Sequence, residues 1–345
     1  MRVSVVGGAG YVGGELVRLL LGHPECQLAQ VTSASHRGKP VTVVHPNLRG
    51  FTDLRFVAPA DLEGCDAVIV ASGDESGQVI PLDDLRGRAP LVVDCGTRLR
   101  LRDRATYRRW YGAEPEPQAV LDSAVYGLPE LYRADLAAAP LISGVGCSAV
   151  GTILALLPLA RAGWALTSPV CVDARFGSSA GGSQPDLGSH HPERSGAVRV
   201  FAPEGHRHAA EVAQALGWPS EQLSYAGVAV EMVRGISISV RCFLAEAVTE
   251  REVRDLFRAT YSDEPFVRLV AQRSGLHRLP DPRWLSGTNL CDVGFSLDRS
   301  GRRLSLFAAL DNLGKGSAGN AIQALNCATG MDERAGLTFT GLHPL

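Results

Sequence analysis

Residues 3–20 read Val-Ser-Val-Val-Gly-Gly-Ala-Gly-Tyr-Val-Gly-Gly-Glu-Leu-Val-Arg-Leu-Leu. A short β-branched run, a glycine turn and an apolar pattern of helical period follow one another, which predicts a strand, a turn and a helix. The turn has the spacing G-x-x-G-x-x-G, whose glycines let the backbone approach a pyrophosphate at the helix N-terminus. The stretch therefore predicts a dinucleotide-binding unit, and a glycine turn without a ligand is the alternative. The residues expected to contact the dinucleotide are Gly7, Ala9, Gly10, Tyr11, Val12 and Gly13.

The end of the second predicted strand, at residues 27–32, indicates which dinucleotide is bound. A site selective for NAD places Asp or Glu there to hold the ribose 2′-hydroxyl. This chain instead has hydroxyl groups followed by a cation, which suit a 2′-phosphate and favour NADP; an ordinary polar loop is the alternative. The residues predicted to lie at the 2′-phosphate are Ser33, Ala34, Ser35 and Arg37.

Apolar runs at residues 67–71, 91–94 and 141–142 predict further buried parallel strands between helical segments. From residue 169 the pattern changes to alternation, as at 170–175 and 236–241, which predicts strands with one polar face. The predicted fold class is α/β: a Rossmann-like doubly wound parallel sheet, followed by an α+β domain with a mostly antiparallel sheet.

Length and composition are those of an ordinary globular protein. The 345 residues exceed one compact core, so two domains are expected. A net charge of −2 gives no support to nucleic-acid binding, and no apolar run is long enough to span a membrane. The eight cysteines form no CxxC pair, and no signal peptide precedes the first strand, so we expect a cytoplasmic protein with reduced thiols.

Cys147 stands in a turn of glycines and small residues, directly before an apolar run of helical spacing. A cysteine at a helix N-terminus is favoured as a thiolate, and the same end of the helix can stabilise an oxyanion. Because Cys147 follows a predicted parallel strand, we expect it on the ligand-binding side of the sheet, near the nicotinamide. A small buried cysteine that only fills the helix start is the alternative.

Four segments resemble the N-acetyl-γ-glutamyl-phosphate reductases. They are Val-Tyr-Gly-Leu-Pro-Glu-Leu at 125–131, Gly-Cys at 146–147, Gly-His-Arg-His-Ala-Ala-Glu at 205–211, and Asp-Asn-Leu-Gly-Lys-Gly-Ser-Ala-Gly-Asn-Ala at 311–321. The resemblance implies an NADP-binding Rossmann domain at 1–147, a catalytic and dimerisation domain at 148–311, and a C-terminal helix at 312–345 that returns to the NADP-binding domain.

Within that family, residues 45–50, 189–196 and 341–344 are similar to one branch. That branch reduces L-2-aminoadipate 6-phosphate, carried on a small acidic amino-group carrier protein, in lysine biosynthesis; some members also reduce the glutamyl phosphate analogue. The chain departs from the family at residues 72–76, at residues 98–100, and in lacking a proline in the nucleophile turn.

The resemblance implies that Cys147 attacks an acyl phosphate and that NADPH reduces the resulting thioester to a semialdehyde. An imidazole must handle the protons, and both His206 and His208 are candidates. The family favours His208 as the acid/base, with Glu211 orienting the site and His206 touching the substrate; two surface histidines are the alternative. We also expect Asn312 and Gly316 near the nicotinamide. The predicted substrate-binding residues are Arg100, Ser179 and Gly181.

The sequence also permits two rival functions. One is the reduction of free N-acetyl-γ-glutamyl phosphate in arginine biosynthesis, and the other is a non-catalytic NADP-binding sensor. Basic side chains can meet an acidic carrier by charge complementarity, although solvated surface charge is the alternative. No metal site is expected, and the family implies a homodimer or homotetramer. The basic residues considered for the carrier are Arg49, Arg194, Arg199, Arg207 and Lys315.

Overall fold

The computed structural model describes residues 1–71 and 80–344. The chain divides into two compact units: unit 1 comprises Met1–Val145 and Ser317–Thr338, and unit 2 comprises Gly146–Gly316 and Phe339–Leu345. The departure from the family noted at residues 72–76 lies outside the described residues. No helix within the described part of the chain is both long and apolar enough to cross a membrane.

Unit 1 is built on a six-stranded parallel sheet of strand order β2-β1-β3-β4-β6-β5. Strands β3 and β4 are buried at every position, as expected for strands covered on both faces. This confirms the predicted Rossmann-like sheet. The strands are β1 (Arg2–Val6), β2 (Gln27–Val31), β3 (Ala67–Val70), β4 (Leu91–Asp94), β5 (Val125–Tyr126) and β6 (Leu141–Ser143).

Unit 2 contains a seven-stranded mixed sheet of strand order β11-β12-β13-β10-β7-β9-β8. The pairs β7–β9 and β11–β12 are parallel and the other pairs are antiparallel, so the predicted, mostly antiparallel sheet is confirmed. The strands are β7 (Val170–Phe176), β8 (Val198–Ala202), β9 (Leu223–Val230), β10 (Ile236–Phe243), β11 (Val267–Leu269), β12 (Cys291–Leu297) and β13 (Arg303–Leu310).

The segments 208–216 and 250–261, whose apolar residues have helical spacing, both form helices. Helices occur in both units of the described residues. In chain order they are α1 (Tyr11–Leu21), α2 (Val41–Val44), α3 (Leu82–Arg86), α4 (Arg104–Tyr111), α5 (Gln118–Ser123), α6 (Pro129–Leu136), α7 (Cys147–Ala162), α8 (His191–Arg194), α9 (His208–Leu216), α10 (Glu250–Tyr261) and α11 (Gly319–Thr329).

Helix α7 is the core helix of unit 2, and it packs on β10, β12 and β13 and against α9. Every residue from Ser148 to Leu159 is buried, which matches the apolar run in the sequence. Gly151 permits close contact with the sheet, because a Cβ there would lie 2.5 Å from Ile238 Cδ1 and 2.6 Å from Leu310 Cδ2. This packing fixes the first residues of α7 beside the first turn of α9.

Candidate active site

Cys147 is the first residue of α7, and its side chain is half-buried. The N-cap residue Gly146 has extended backbone angles and no side-chain cap, so the positive end of the helix dipole is directed at the thiol. A single turn of π-helix over residues 314–318 packs beside it: a Cβ on Gly316 would lie 2.9 Å from Cys147 Cβ. Cys147 therefore has the electropositive, partly accessible position that a nucleophilic thiol needs.

Three other cysteines lack this environment. Burial raises the pKa of Cys26 to about 11, and burial raises those of Cys95 and Cys242 to about 12 each. These thiols stay protonated near neutral pH and have the character of small apolar core residues.

Glu211 is fully buried in the first turn of α9 and lies against the residue that precedes the cysteine. The Gly146 N–H donates to Glu211 Oε2 at 2.9 Å, and Glu211 Oε1 lies 3.8 Å from His208 Nε2. The carboxylate thus holds the start of α7 and faces the imidazole at the same time. Its negative charge stabilises the protonated form of His208.

His208 is 4% exposed and begins α9. Its Nδ1 lies 2.6 Å from Ser148 Oγ, and the Tyr225 hydroxyl lies 2.7 Å from the same Ser148 oxygen. Thr152 Oγ1 lies 3.3 Å from the Tyr225 oxygen. The imidazole is therefore hydrogen-bonded at Nδ1 to Ser148, and its Nε2 faces the carboxylate of Glu211.

His206 lies beside His208, with ring centroids 4.5 Å apart in an edge-to-face arrangement. Its Nδ1 accepts a hydrogen bond from the His208 backbone N–H at 3.2 Å. Phe176 and Tyr225 pack around the ring at centroid distances of 5.3 and 5.9 Å. The structure thus brings both predicted histidines together, and His208 makes a short hydrogen bond to Ser148 of α7.

Sequence reasoning missed Ser148, Thr152 and Tyr225. Ser148 and Thr152 are four residues apart, which places them on one face of α7. This spacing is the one sequence signal that links them. Tyr225 lies on β9, whose approach to the start of α7 is a tertiary contact that no local pattern reveals.

The predicted nicotinamide residue Asn312 is held within unit 2. Its Oδ1 accepts from the Gly235 N–H at 2.8 Å, and its Nδ2 donates to Ser179 Oγ at 2.9 Å. The Ser179 hydroxyl in turn donates to the Val233 carbonyl at 2.7 Å. Asn312 and Ser179, predicted to contact different ligands, are therefore hydrogen-bonded to each other. Gly181 lies at the end of the same short helical turn and is exposed.

In unit 1 the glycine turn has the form that a pyrophosphate requires. Gly7 has φ +77°, which favours glycine, and its N–H donates to Thr32 Oγ1 at 3.2 Å. A Cβ on Gly13 would lie 2.5 Å from Gly8 Cα, so only glycine lets the turn and helix pack this closely. Helix α1 begins after Gly10 without a side-chain cap, so its positive end suits an anion. The described residues fit a dinucleotide.

His45, from a branch-specific segment, supports this glycine turn. Its Nε2–H donates to the Gly8 carbonyl at 2.7 Å, and a Cβ on Gly14 would lie 2.4 Å from the imidazole. Burial lowers the pKa of His45, which keeps the ring neutral at neutral pH. Because the ring contacts both Gly8 and Gly14, it fills the space beneath the turn.

The predicted 2′-phosphate residues lie together at the end of β2. Ser33 is fully buried, with its Oγ 3.4 Å from Ser35 Oγ, and Ser35 Oγ lies 2.9 Å from His36 Nδ1. Arg37 is exposed and forms an ion pair with Asp61 at 2.9 Å. A phosphate at this position would compete with Asp61 for the guanidinium.

Two other predicted cations are buried. Arg100 belongs to unit 1 and donates to the Cys95 carbonyl at 2.9 Å. Lys315 is 0% exposed within the π-helical turn, so its interpretation as a surface charge for a carrier protein was wrong. Lys315 was considered for the carrier because the packing of its neighbour Gly316 beside Cys147 has no sequence signature.

Comparison with known proteins gives the family. Residues 2–139 match the family model described as semialdehyde dehydrogenase, NAD binding domain, and residues 147–312 match semialdehyde dehydrogenase, dimerisation domain. A putative LysW-L-2-aminoadipate 6-phosphate reductase of Thermomicrobium roseum is 47% identical, covering 100% of this chain and 99% of the relative. The LysW-L-2-aminoadipate 6-phosphate reductase of Deinococcus radiodurans is 44% identical, covering 99% and 98%.

A relative from Haloarcula marismortui, a putative LysW-L-2-aminoadipate/LysW-L-glutamate phosphate reductase, is 46% identical over 99% of this chain and 98% of its own. Among solved structures, aspartate semialdehyde dehydrogenase II from Vibrio cholerae has a TM-score of 0.69 at 17% identity, covering 94% of this chain and 97% of that chain. The predicted fold class and the predicted resemblance are both confirmed.

Proposed function

The chain belongs to the semialdehyde dehydrogenase family, and we propose that it reduces L-2-aminoadipate 6-phosphate, carried on an acidic amino-group carrier protein, to the semialdehyde. The observation that carries this proposal is the full-length identity of 44–47% to reductases named for that substrate. The cluster of Cys147, His208 and Glu211 supports it, because acyl-phosphate reduction needs a nucleophile and an acid/base.

Cys147 is the proposed nucleophile. Its Sγ bonds to the acyl carbon while the bond from that carbon to the phosphate oxygen breaks, so phosphate leaves and a thioester remains. When bound, the dinucleotide would supply a hydride to this thioester, so that overall acyl phosphate, NADPH and one proton would become semialdehyde, NADP⁺ and phosphate. The positive end of α7 stabilises the oxyanions that develop on the acyl oxygen.

His208 is the proposed acid/base. It takes the proton of the Cys147 thiol before attack and returns a proton when the carbon–sulfur bond breaks. Glu211, 3.8 Å from Nε2, stabilises the imidazolium that exists between these two events. His206 is proposed to contact the acyl chain, and Ser179, Gly181 and Arg100 to contact the acyl chain or the phosphate.

NADP is the proposed dinucleotide, and Ser33 and Arg37 are proposed to select it. Replacing both by alanine should lower the ratio of kcat/KM for NADPH to that for NADH roughly tenfold to a hundredfold, because the 2′-phosphate loses a charged partner. Arg86→Ala, which removes an exposed arginine from the end of α3, is the charge-matched control. An unchanged ratio in the double variant would show that other residues select the cofactor.

The carrier protein is the proposed partner, and the exposed Arg199 on β8 is a candidate contact. Its guanidinium donates to the Glu193 and Gly188 carbonyls at 3.2 and 3.0 Å, so it is held in place at the surface. The match of residues 147–312 to a dimerisation domain supports a homodimer or homotetramer.

The reverse reaction tests the substrate. NADPH formation in phosphate buffer is followed with aminoadipate semialdehyde attached to its carrier, and with free N-acetyl-glutamate semialdehyde. We expect turnover with the carrier-bound substrate alone. Turnover with only the free acetylated substrate would place the enzyme in arginine biosynthesis. Absence of turnover with either, despite NADP binding, would favour a sensor that has lost catalysis.

A further inference from the structure

Three buried hydroxyl groups form a chain that ends on His208. Ser148 Oγ contacts His208 Nδ1 at 2.6 Å, the Tyr225 hydroxyl contacts Ser148 Oγ at 2.7 Å, and Thr152 Oγ1 lies 3.3 Å from the Tyr225 oxygen. The Thr152 hydroxyl donates to the Ser148 carbonyl at 2.8 Å, which closes the chain onto the backbone of α7. Each hydroxyl has one proton to donate and can also accept, and this limits the arrangements of hydrogen bonds that the chain can adopt.

Two proton arrangements satisfy this chain. In the first, Tyr225 donates to Ser148 and Ser148 donates to Nδ1, so neutral His208 carries its proton on Nε2. In the second, Nδ1–H donates to Ser148, Ser148 donates to Tyr225, and Tyr225 donates to Thr152. Only the second leaves Nε2 without a proton in the neutral ring, and it also accommodates the imidazolium. In both arrangements the Thr152 hydroxyl donates to the Ser148 carbonyl.

The edge of His208 that carries Nε2 is the edge that faces the cysteine turn. A Cβ on Gly146, the residue before Cys147, would lie 2.6 Å from both Nε2 and Cδ2. If His208 deprotonates the Cys147 thiol from this edge, its Nε2 must carry no proton when the ring is neutral. The second arrangement is therefore the one that catalysis requires.

We propose that Ser148, Tyr225 and Thr152 are positioning residues that select the Nδ1–H tautomer of His208 and keep the same hydrogen bonds while Nε2 loses and gains its proton. This inference rests on the proposed function, which assigns the acid/base role to His208. The chain moves no proton away from the site, because Nδ1–H donates to Ser148 both in the neutral ring and in the imidazolium.

The groups facing His208 are consistent with this role. Glu211 on its own helix lies 3.8 Å from Nε2, and two further ionisable groups, His206 in the preceding loop and Tyr225 on β9, lie close by. Burial raises the pKa of Tyr225 well above its usual value. The phenol therefore stays protonated across the working pH range and can donate in either direction.

The test uses Ser148→Ala and Tyr225→Phe in the full-length enzyme. Tyr261→Phe is the matched control, because the buried Tyr261 hydroxyl also bonds to α7, at the Leu154 carbonyl, but lies outside the chain. We expect kcat to fall about tenfold to a hundredfold in Ser148→Ala, with less effect in Tyr225→Phe and with the KM for NADPH within about twofold. Ser148→Thr, which keeps a hydroxyl, should recover most of the rate.

A second readout does not depend on turnover. The rate of Cys147 alkylation by iodoacetamide, measured against pH, reports thiolate formation. Ser148→Ala removes an acceptor for the imidazolium Nδ1–H, so half-maximal reactivity should move about one pH unit upward. The control should show no shift. An unshifted alkylation profile in Ser148→Ala would overturn the proposal, even if kcat fell. Failure of the proposed function is recognised separately, as full activity in Cys147→Ser.

Discussion

Replacing Cys147 by serine should lower kcat about ten-thousandfold and leave dinucleotide affinity within about twofold. A serine hydroxyl at the start of α7 occupies the same position, but it is far harder to ionise than a thiol. Neither the helix dipole nor His208 can make up this difference. The substitution changes none of the residues predicted to contact the dinucleotide.

The measurement pairs turnover in the reductive direction with NADPH binding followed by its fluorescence. Cys171→Ser is the matched control, because Cys171 is an exposed thiol on β7 in the same unit. Its activity should equal that of the parent enzyme. A Cys147→Ser variant that keeps more than about a tenth of the parent kcat would remove this thiol from the chemistry and would contradict covalent catalysis.

Much of the fold and part of the site could be predicted because their signals are local. The glycine turn lies between a strand and a helix in the sequence, so about twelve consecutive residues are enough to predict dinucleotide binding. The helix that begins at Cys147 is equally visible, since an apolar run follows a turn of small residues. His208 and Glu211 stand three residues apart, which places them on one face of a helix.

The parts that could not be predicted depend on contacts between distant segments. Tyr225 reaches Ser148 only because β9 pairs with β7 and α9 packs on α7. Lys315 was misjudged for the same reason: its turn packs beside Cys147, and that packing, not its glycine-rich composition, determines its burial. The position of Arg37 after β2 predicts that it lies at the 2′-phosphate. The sequence gives no sign of its ion pair with Asp61, because Asp61 belongs to a later segment without a recognisable motif.

Gly146→Ala should lower kcat about a hundredfold to a thousandfold, although alanine tolerates the backbone angles of φ −76° and ψ 134° at this position. The added Cβ would lie 2.5 Å from Glu211 Oε1 and 2.6 Å from His208 Nε2. Both side chains are buried, so they can yield only by leaving the positions described above. Overpacking of this kind also costs about 1–3 kcal/mol of unfolding free energy.

Gly64→Ala is the control, because a Cβ there meets only the Arg88 carbonyl at 3.7 Å, an ordinary contact. Steady-state kinetics and thermal unfolding are measured on both variants, and Gly64→Ala should match the parent enzyme. The double variant with His208→Gln identifies the cause. If the methyl group acts by displacing His208, adding Gly146→Ala to His208→Gln should cost much less than it costs the parent enzyme. Fully additive losses would mean that the added methyl group acts through Glu211 or the Cys147 backbone instead, and that the imidazole does not depend on the space this glycine leaves open.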